Sequence, residues 1–268
     1  MTEGPRTLAP FGRRLLRVIK NERLGAYNMI WVAEPQREAD PQPGQFYMLA
    51  TERQWGGEDG RPFLPRAFSF ARCNESALAF LLEAIGPGTS RLARLQRDDG
   101  VWVTGPLGMG FTAPGRGRAL LVGGGIGAAP LLCWRDVLGA DTTTLLGFRS
   151  AQHAEARNYF AGAQVATDDG SVGHHGFVTE LLREELDRDA DATIYACGPP
   201  PMLEAVRALA AEREVPAQLA MESGMACGFG ACMGCVVQTR NGYVRLCVDG
   251  PVVDASELET AWVPGAPH

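Results

Sequence analysis

Four of the seven cysteines in this 268-residue chain lie close together near its C-terminus. Cys227, Cys232 and Cys235 have the spacing C-x4-C-x2-C, and Cys247 follows after eleven further residues. Thiolates in this arrangement are typical ligands of a plant-type [2Fe–2S] cluster. The spacing therefore predicts an iron–sulfur cluster, a group that carries single electrons.

Glycines are interspersed among these cysteines. We expect Gly228, Gly230 and Gly234 to take positive φ and to let the loop wrap closely around an inorganic core. Such a path also points backbone N–H groups at the sulfurs, and these hydrogen bonds tune the reduction potential of a cluster.

Two other uses of the four cysteines stay open at this stage. A structural zinc ion often takes four cysteine ligands, although such sites usually contain two short C-x2-C pairs. Disulfides are the second alternative. They are rare in reducing compartments, and an odd number of cysteines without a recognisable secretion signal favours such a compartment.

The composition limits the classes of partner. Hydrophobic residues make up 46% of the chain and charged residues 21%, and the net charge is −6. Because no run of basic residues occurs, we expect no binding to nucleic acid. No apolar stretch reaches the roughly eighteen residues that a membrane span requires. These features predict a cytoplasmic protein without membrane association.

Residues 1–113 contain short apolar runs separated by turn residues. Several runs are rich in β-branched or aromatic residues, which predicts the strands of a small antiparallel barrel. The predicted strands are Arg14–Ile19, Tyr27–Val32, Gln45–Leu49, Ala67–Ala71, Ala77–Ala84 and Val101–Thr104. One helix is expected at Thr89–Leu95, because Leu92 and Leu95 share a helical face.

Two pieces of this barrel could bind a phosphate group. The turn Gly86–Ser90 leads into the predicted helix, where free N–H groups and the helix dipole favour an anion. Arg66 could supply a bidentate partner. Arg66 could equally be a solvated residue at a strand edge, and the turn could be no more than a capped helix start, so both interpretations stay open.

The pattern changes to alternating strands and helices between residues 114 and 220. A buried strand at Ala119–Val122 is followed by a glycine turn in which Gly123, Gly125 and Ala128 satisfy G-x-G-x-x-G/A, and then by a helix. Further strands are predicted at Thr142–Phe148, Gln164–Thr167, Thr193–Cys197 and Gln218–Glu222, with helices at Val178–Arg188 and Met202–Glu214. This alternation predicts a doubly wound parallel sheet.

Ligands bind such sheets at the carboxyl ends of the strands. That rule predicts one binding edge formed by the turn Gly123–Ala129, the polar turn Asp168–Ser171, and Cys197 with Gly198. Tight packing of the glycine turn against a strand, with no ligand, is the alternative. The whole chain is thus predicted to be a multidomain α+β protein with an antiparallel barrel at 1–113, a parallel sheet at 114–220 and a small cluster domain at 221–268.

The order of these motifs resembles the ferredoxin-reductase superfamily and, within it, the electron-transfer subunits of NAD-dependent (type 1B) dihydroorotate dehydrogenase. The resemblance covers nearly the whole chain, and the cysteine segment with its C-x-D-G-P tail is its most specific part. The matching motifs are Pro43–Phe46, Arg66–Ser69, Gly86–Thr89, Gly105–Gly108, Gly123–Gly127, Cys197–Met202, the cysteine segment and Cys247–Asp254.

The resemblance implies FAD, a [2Fe–2S] cluster and NAD as cofactors, and it implies a role for each motif. Arg66 would face the FAD pyrophosphate, and Ser69 would lie near the flavin N5. Cys197 and Gly198 would lie where the nicotinamide stacks on the flavin, so Ser69 and Cys197 are the candidate catalytic residues. The other implied cofactor-binding residues are Ala67, Phe68, Leu81, Leu82, Glu83, Gly88, Thr89, Gly123, Gly125 and Gly127, and the implied cluster ligands are Cys227, Cys232, Cys235 and Cys247.

One departure from the family pattern concerns the flavin. Ala67 and Phe68 stand where this family usually has a proline and an aliphatic residue. A phenylalanine at position 68 can still pack on the face of the flavin ring, so we expect the affinity for FAD to change more than the identity of the flavin. The two remaining cysteines, Cys73 and Cys133, are expected to lie in the core as small hydrophobic residues.

The resemblance also implies a function. Electrons would pass from the FMN of a dihydroorotate dehydrogenase partner through the cluster and FAD to NAD⁺, in pyrimidine biosynthesis, and the complex would contain two copies of each subunit. No length remains for a β/α barrel of about 250 residues, so the dihydroorotate site would lie on the partner. A related subunit of a sulfide dehydrogenase, hydrogenase or ferredoxin–NADP transhydrogenase complex is the alternative, and a zinc-binding module with a vestigial nucleotide fold is a second.

The choice between NAD and NADP is open in the residues themselves. The resemblance implies NAD(H). No acidic residue ends the strand Thr142–Phe148, where a partner of the ribose 2′-hydroxyl could lie. Arg149 follows instead and could meet a 2′-phosphate, or it could be a solvated loop charge.

Overall fold

Residues 12–35, 37, 40–56, 61–115, 117–139 and 142–263 are described by a computed structural model of the chain. Residues 1–11, where a secretion signal would begin, lie outside these ranges, as does residue 116 at the predicted boundary between barrel and sheet. No helix in the described ranges is long and apolar enough to cross a membrane.

Six antiparallel strands close into a barrel, as predicted. In chain order they are β1 (Arg14–Leu24), β2 (Tyr27–Ala33), β3 (Phe46–Thr51), β4 (Arg66–Asn74), β5 (Ala77–Glu83) and β6 (Gly100–Leu107), and the barrel order is β1-β2-β5-β4-β3-β6. The helix α1 (Pro87–Ala93) lies between β5 and β6 and begins two residues earlier than predicted. Strand β1 extends beyond Ile19 because Leu24 and Tyr27 pair across a tight hairpin.

The second sheet has seven strands and carries helices on both faces. Its strands are β7 (Arg118–Gly124), β8 (Thr142–Phe148), β9 (Gln164–Thr167), β10 (His174–His175), β11 (Ala192–Cys197), β12 (Ala217–Ala220) and β15 (Val252–Asp254), and its helices are α2 (Ala128–Leu138), α3 (Val178–Arg188) and α4 (Pro200–Glu212). The order β10-β9-β8-β7-β11-β12-β15 is parallel from β10 to β12. The predicted doubly wound sheet is confirmed, and the short β10 is an addition.

The cysteine segment does not form a separate core. It contains a hairpin of β13 (Val236–Thr239) and β14 (Gly242–Arg245), and the chain then returns to the sheet, where β15 pairs antiparallel with β12. Cys235 and Cys247 share one hydrophobic core with Leu219 of the sheet and Met48 of the barrel. The boundaries proposed at 113/114 and 220/221 stay predictions, and the second is crossed by the β12–β15 pairing.

Candidate functional site

A pocket of about 150 Å³ lies where the barrel, the parallel sheet and the cysteine segment meet. Three parts of the chain form its walls: strands β4 and β5 of the barrel, the glycine turn with the end of β11 in the sheet, and the chain just after β12. Its lining includes Ala67, Ser69, Leu81, Ile126, Gly127, Pro130, Cys197, Glu222, Ser223 and Met225. Residues predicted from three separate motifs therefore share one cavity.

The barrel wall follows the two-residue alternation of a strand. Ser69 and Leu81 line the pocket on its outer face. Phe68 and Leu82 instead pack in the barrel core, where they are 7% and 0% exposed. Phe68 also borders the pocket, whereas Leu82 does not line it. The assignment of both residues to the cofactor stays a prediction, and the burial of Leu82 does not favour it.

Arg66 lies beside the glycine turn that begins α1, as the phosphate hypothesis requires. A Cβ placed on Gly88 would be 2.9 Å from Arg66 Nε and 3.1 Å from the ring of Trp55. The Thr89 hydroxyl accepts hydrogen bonds from the N–H groups of Ile85 and Gly86, each at 3.0 Å. The Trp55 Nε1 atom is buried without a hydrogen-bond partner in the described chain, so an anionic ligand with further polar atoms fits here.

The glycine turn packs tightly at most of its positions. A Cβ on Gly123 would meet Leu146 at 2.9 Å, and one on Gly127 would meet the Cys197 carbonyl oxygen at 2.3 Å. Gly125 differs, because its φ is +56° and a Cβ added there would have the Tyr27 hydroxyl as its nearest neighbour, at 3.6 Å. Close packing thus accounts for Gly123 and Gly127, and Gly125 is the most open of the three predicted dinucleotide-binding glycines.

Cys197 ends β11 at the pocket and is 6% exposed. Burial, with the Glu222 carboxylate and Cys133 nearby, raises the pKa of its thiol well above the usual value. The thiol therefore stays neutral at physiological pH, and it offers an uncharged surface to a planar ligand. Gly198 lies directly behind it, where a Cβ would be 3.0 Å from the backbone of Gly124.

Two polar residues of the pocket, Glu222 and Ser223, were not among the predicted site residues. Burial raises the pKa of Glu222 to about 7. The hydroxyl of the adjacent Ser223 is buried and finds no hydrogen-bond partner among the described residues. Unpaired buried polar groups are costly, so the pocket suits a ligand with hydrogen-bonding atoms, as a flavin ring has. Only their position next to the cysteine motif could have signalled them.

The four clustered cysteines form two pairs. Cys232 lies near enough to Cys227 to influence the pKa of its thiol, and Cys235 lies near enough to Cys247 to do the same. In the described ranges no set of three or more His, Cys, Asp or Glu side chains surrounds a single point as mononuclear metal ligands do. Two pairs of thiolates suit a binuclear cluster, in which each iron takes two of them besides the bridging sulfides.

Backbone N–H groups point at these sulfurs. The Cys247 N–H donates to Cys235 Sγ at 3.4 Å, and the Gly234 N–H donates to Cys232 Sγ at 3.5 Å. Burial opposes ionisation of Cys227, but hydrogen bonds from the N–H groups of Cys232 and Phe229 lower its pKa to about 6. Burial and then the neighbouring Cys235 raise the pKa of Cys247 to about 12. A metal cation would relieve this repulsion, so the donor set fits the cluster.

The glycine prediction holds at two of three positions. Gly228 and Gly230 have φ of +82° and +84°. Gly234 does not take positive φ, and the preceding Met233 does instead, at +61°. Cys133 is buried as expected, whereas Cys73 is exposed, because the end of β4 runs out of the core.

Arg149 is held by an acidic residue of the barrel. Its Nη2 donates to Glu83 Oε1 at 2.5 Å and lies 3.0 Å from His153 Nε2. The Asp169 N–H approaches the Arg149 carbonyl at 3.4 Å, and Ser171 bonds both Asp169 and the Ala151 N–H. Glu83, predicted to lie along FAD, thus binds the Arg149 guanidinium, and Asp169 contacts the same loop through its backbone N–H.

Comparisons with known proteins agree with this geometry. A family model described as the iron–sulfur cluster binding domain of dihydroorotate dehydrogenase B matches residues 222–259, and the oxidoreductase NAD-binding domain matches residues 121–208. The dihydroorotate dehydrogenase B (NAD(+)) electron transfer subunit of Caldanaerobacter subterraneus subsp. tengcongensis is 36% identical over 250 residues, which are 90% of this chain and 96% of that protein. The chain belongs to this family of electron transfer subunits. The Bacillus velezensis member is 38% identical over 249 residues, covering 87% and 92%.

Solved structures show the same fold. One, described as an NADH-dependent reduced ferredoxin–NADP oxidoreductase that performs flavin-based electron bifurcation, has a TM-score of 0.80 at 26% identity and covers 94% of this chain and 91% of that one. The ferredoxin reductase of carbazole 1,9a-dioxygenase has a TM-score of 0.64 at 22% identity, covering 78% and 67%, and shares the fold. The predicted fold class and the cofactor set of FAD, [2Fe–2S] and NAD are confirmed at the level of the family.

Proposed function

We propose that this chain is the electron-transfer subunit of a cytoplasmic NAD⁺-dependent dihydroorotate dehydrogenase of pyrimidine biosynthesis, and that it joins an FMN-containing catalytic subunit as a heterotetramer. The names of its relatives support the reaction and the need for a partner. The observation that carries the proposal is the shared pocket, in which Ser69 of the barrel, Cys197 of the sheet and Met225 of the cysteine segment face one cavity.

The residues would form three binding sites, one for each cofactor. Arg66, Gly88 and Thr89 would hold the FAD pyrophosphate, with Ser69 beside the reactive ring edge. Gly125 and Gly198 would admit the dinucleotide, and the neutral Cys197 thiol would position the nicotinamide. The four clustered cysteines would hold the [2Fe–2S] cluster. When bound, FAD exchanges a hydride with NAD and single electrons with the cluster, and so joins the two kinds of chemistry.

The loop that follows β8 supports NAD(H) rather than NADP(H). Glu83 already neutralises the Arg149 guanidinium. Asp169 lies beside the same loop, and its hydrogen bonds with Ser171 hold the pKa of its carboxyl below the usual value. A 2′-phosphate at this edge would therefore be repelled by the Asp169 carboxylate and would meet an Arg149 that is already paired with Glu83.

The test uses the chain with and without its partner. Alone, it should reduce dyes with NADH and should not oxidise dihydroorotate. With the FMN subunit encoded beside it, dihydroorotate oxidation should become coupled to NAD⁺ reduction. Dihydroorotate oxidation by this chain alone, or failure to bind that subunit, would contradict the proposal.

One alternative has a specific observation behind it. The solved ferredoxin–NADP oxidoreductase aligns over nearly the whole chain at a TM-score of 0.80. A subunit of such a complex would couple reduced ferredoxin to pyridine nucleotides in place of dihydroorotate. Assaying reduced ferredoxin with NAD⁺ and NADP⁺ in the same preparations separates the two functions.

A further inference from the structure

Arg245 lies against the cysteine loop and has no role in the sites described above. It is the last residue of β14, two residues before the ligand Cys247, and its cross-strand partner Val236 follows the ligand Cys235. A Cβ on Gly230 would be 3.2 Å from Arg245 Nη1 and 3.6 Å from its Cζ. The same Cβ would be 2.7 Å from Cγ2 of Val248, the residue after Cys247. The guanidinium therefore adjoins the loop that joins the ligands Cys227 and Cys232, close to the ligand Cys247.

A tight turn holds this arrangement in place. The N–H groups of Val248 and Asp249 both donate to the Arg245 carbonyl, at 2.9 and 2.8 Å, so the turn encloses Cys247. The Asp249 carboxylate accepts from the Arg245 N–H at 3.0 Å and from Nε at 3.3 Å. Asp249 therefore binds one edge of the guanidinium, and Nη1 stays on the side of Gly230.

The charges of this pair act on the cluster in opposite directions. A [2Fe–2S] cluster with four thiolates is an anion, and it gains one further negative charge on reduction. A nearby cation favours the reduced form, and a nearby carboxylate disfavours it. The side chains of Arg245 and Asp249 are 37% and 28% exposed, so water screens both charges in part.

We propose that Arg245 and Asp249 together set the reduction potential of the cluster, Arg245 raising it and Asp249 limiting that rise. Arg245 is a positioning and tuning residue here, and it transfers no electron itself. The inference rests on the cluster assignment and does not depend on the identity of the partner subunit.

Three variants of the full chain, with cofactors bound, test the proposal by a redox titration of the cluster followed by its electron paramagnetic resonance signal. Arg245→Gln should lower the potential, Asp249→Asn should raise it, and Arg245→Lys should leave it near that of the parent. We expect each shift to change the ratio of reduced to oxidised cluster at a fixed potential by about tenfold, or about 59 mV for one electron. High salt should shrink both shifts.

Arg240→Gln is the matched control. It removes the same charge from the tip of the same hairpin, roughly 16 Å along the chain from Cys235 and beyond the Debye length. If the Arg245–Asp249 pair had only a structural role, all three variants would have lower cluster content and thermal stability. The reduction potential would then not shift in opposite directions in Arg245→Gln and Asp249→Asn. Unchanged potentials in cluster-loaded Arg245→Gln and Asp249→Asn overturn the proposal, whereas absence of any cluster in the parent protein overturns the functional assignment instead.

Discussion

The contact between the cysteine loop and the barrel makes a sharp prediction about Gly228. Its φ is +82°, and a Cβ there would lie 2.7 Å from Met48 Cγ and 3.1 Å from Leu107 Cδ1. Gly228→Ala would place an L-residue in the left-handed region, at a cost of about 1–2 kcal/mol. Crowding of Met48 and Leu107 adds about 1–3 kcal/mol. We expect a loss of roughly 2–5 kcal/mol for the loop and the strands that it contacts.

Iron and sulfide content, the visible absorption of the cluster and the thermal midpoint report this loss. At about 2–4 °C per kcal/mol, a shift of that size is readily measured. Gly224→Ala is the control, because Gly224 lies in the same segment, has no positive φ and would bring an added methyl group within 4 Å of no other atom. If Gly228→Ala matched both the parent and Gly224→Ala in cluster content and midpoint, the packing of this loop on the barrel would be refuted.

Further expectations concern single residues. Gly88→Ala should weaken FAD binding by crowding Arg66, whereas Gly86→Ala, with open space around it, should not; equal affinities by fluorescence titration would count against the phosphate site. Serine at Cys232 should abolish or destabilise the cluster and leave FAD bound, with Cys73→Ser as the unaffected control, and unchanged iron content would contradict this. Burial raises the pKa of Glu222 in the folded protein to about 7, from about 4.5 in the unfolded chain. The free energy of unfolding should therefore be highest below about pH 4.5 and should fall by up to roughly 3 kcal/mol as pH rises towards 7. Glu222→Gln should abolish this fall, as measured by unfolding experiments at several pH values. The ratio of kcat/KM for NADH to that for NADPH should exceed one, and a preference for NADPH would reverse the nucleotide assignment.

Local patterns in the sequence are sufficient for much of the fold. Strand β8 and helix α3 have the predicted bounds, because period and flanking turns report them directly. The pairing of β15 with β12 could not be predicted in this way. Three residues carry too weak a pattern to show that a chain returns to a sheet edge more than thirty positions after leaving it.

The candidate site was predicted in its motifs and less well in its side chains. Ser69 and Cys197 line one pocket and Arg66 lies beside Gly88, while the cofactor-binding roles of all three stay predictions. Phe68 and Leu82 were assigned to the cofactor as members of contiguous motifs, although a strand turns alternate side chains to opposite faces. Glu222 was missed because its raised pKa depends on burial by parts of the pocket that are distant from it in the sequence.

The return of β15 also has a consequence for fragments of this protein. It covers the hydrogen-bonding edge of β12 with three residues from the end of the cysteine segment. A chain cut after residue 220 would present the uncovered N–H and C=O groups of β12 to solvent and to other molecules, as aggregation-prone edge strands do. Any attempt to produce the nucleotide-binding sheet by itself, or to exchange the cluster segment between relatives as a cassette, must therefore carry residues 252–254 along with the sheet.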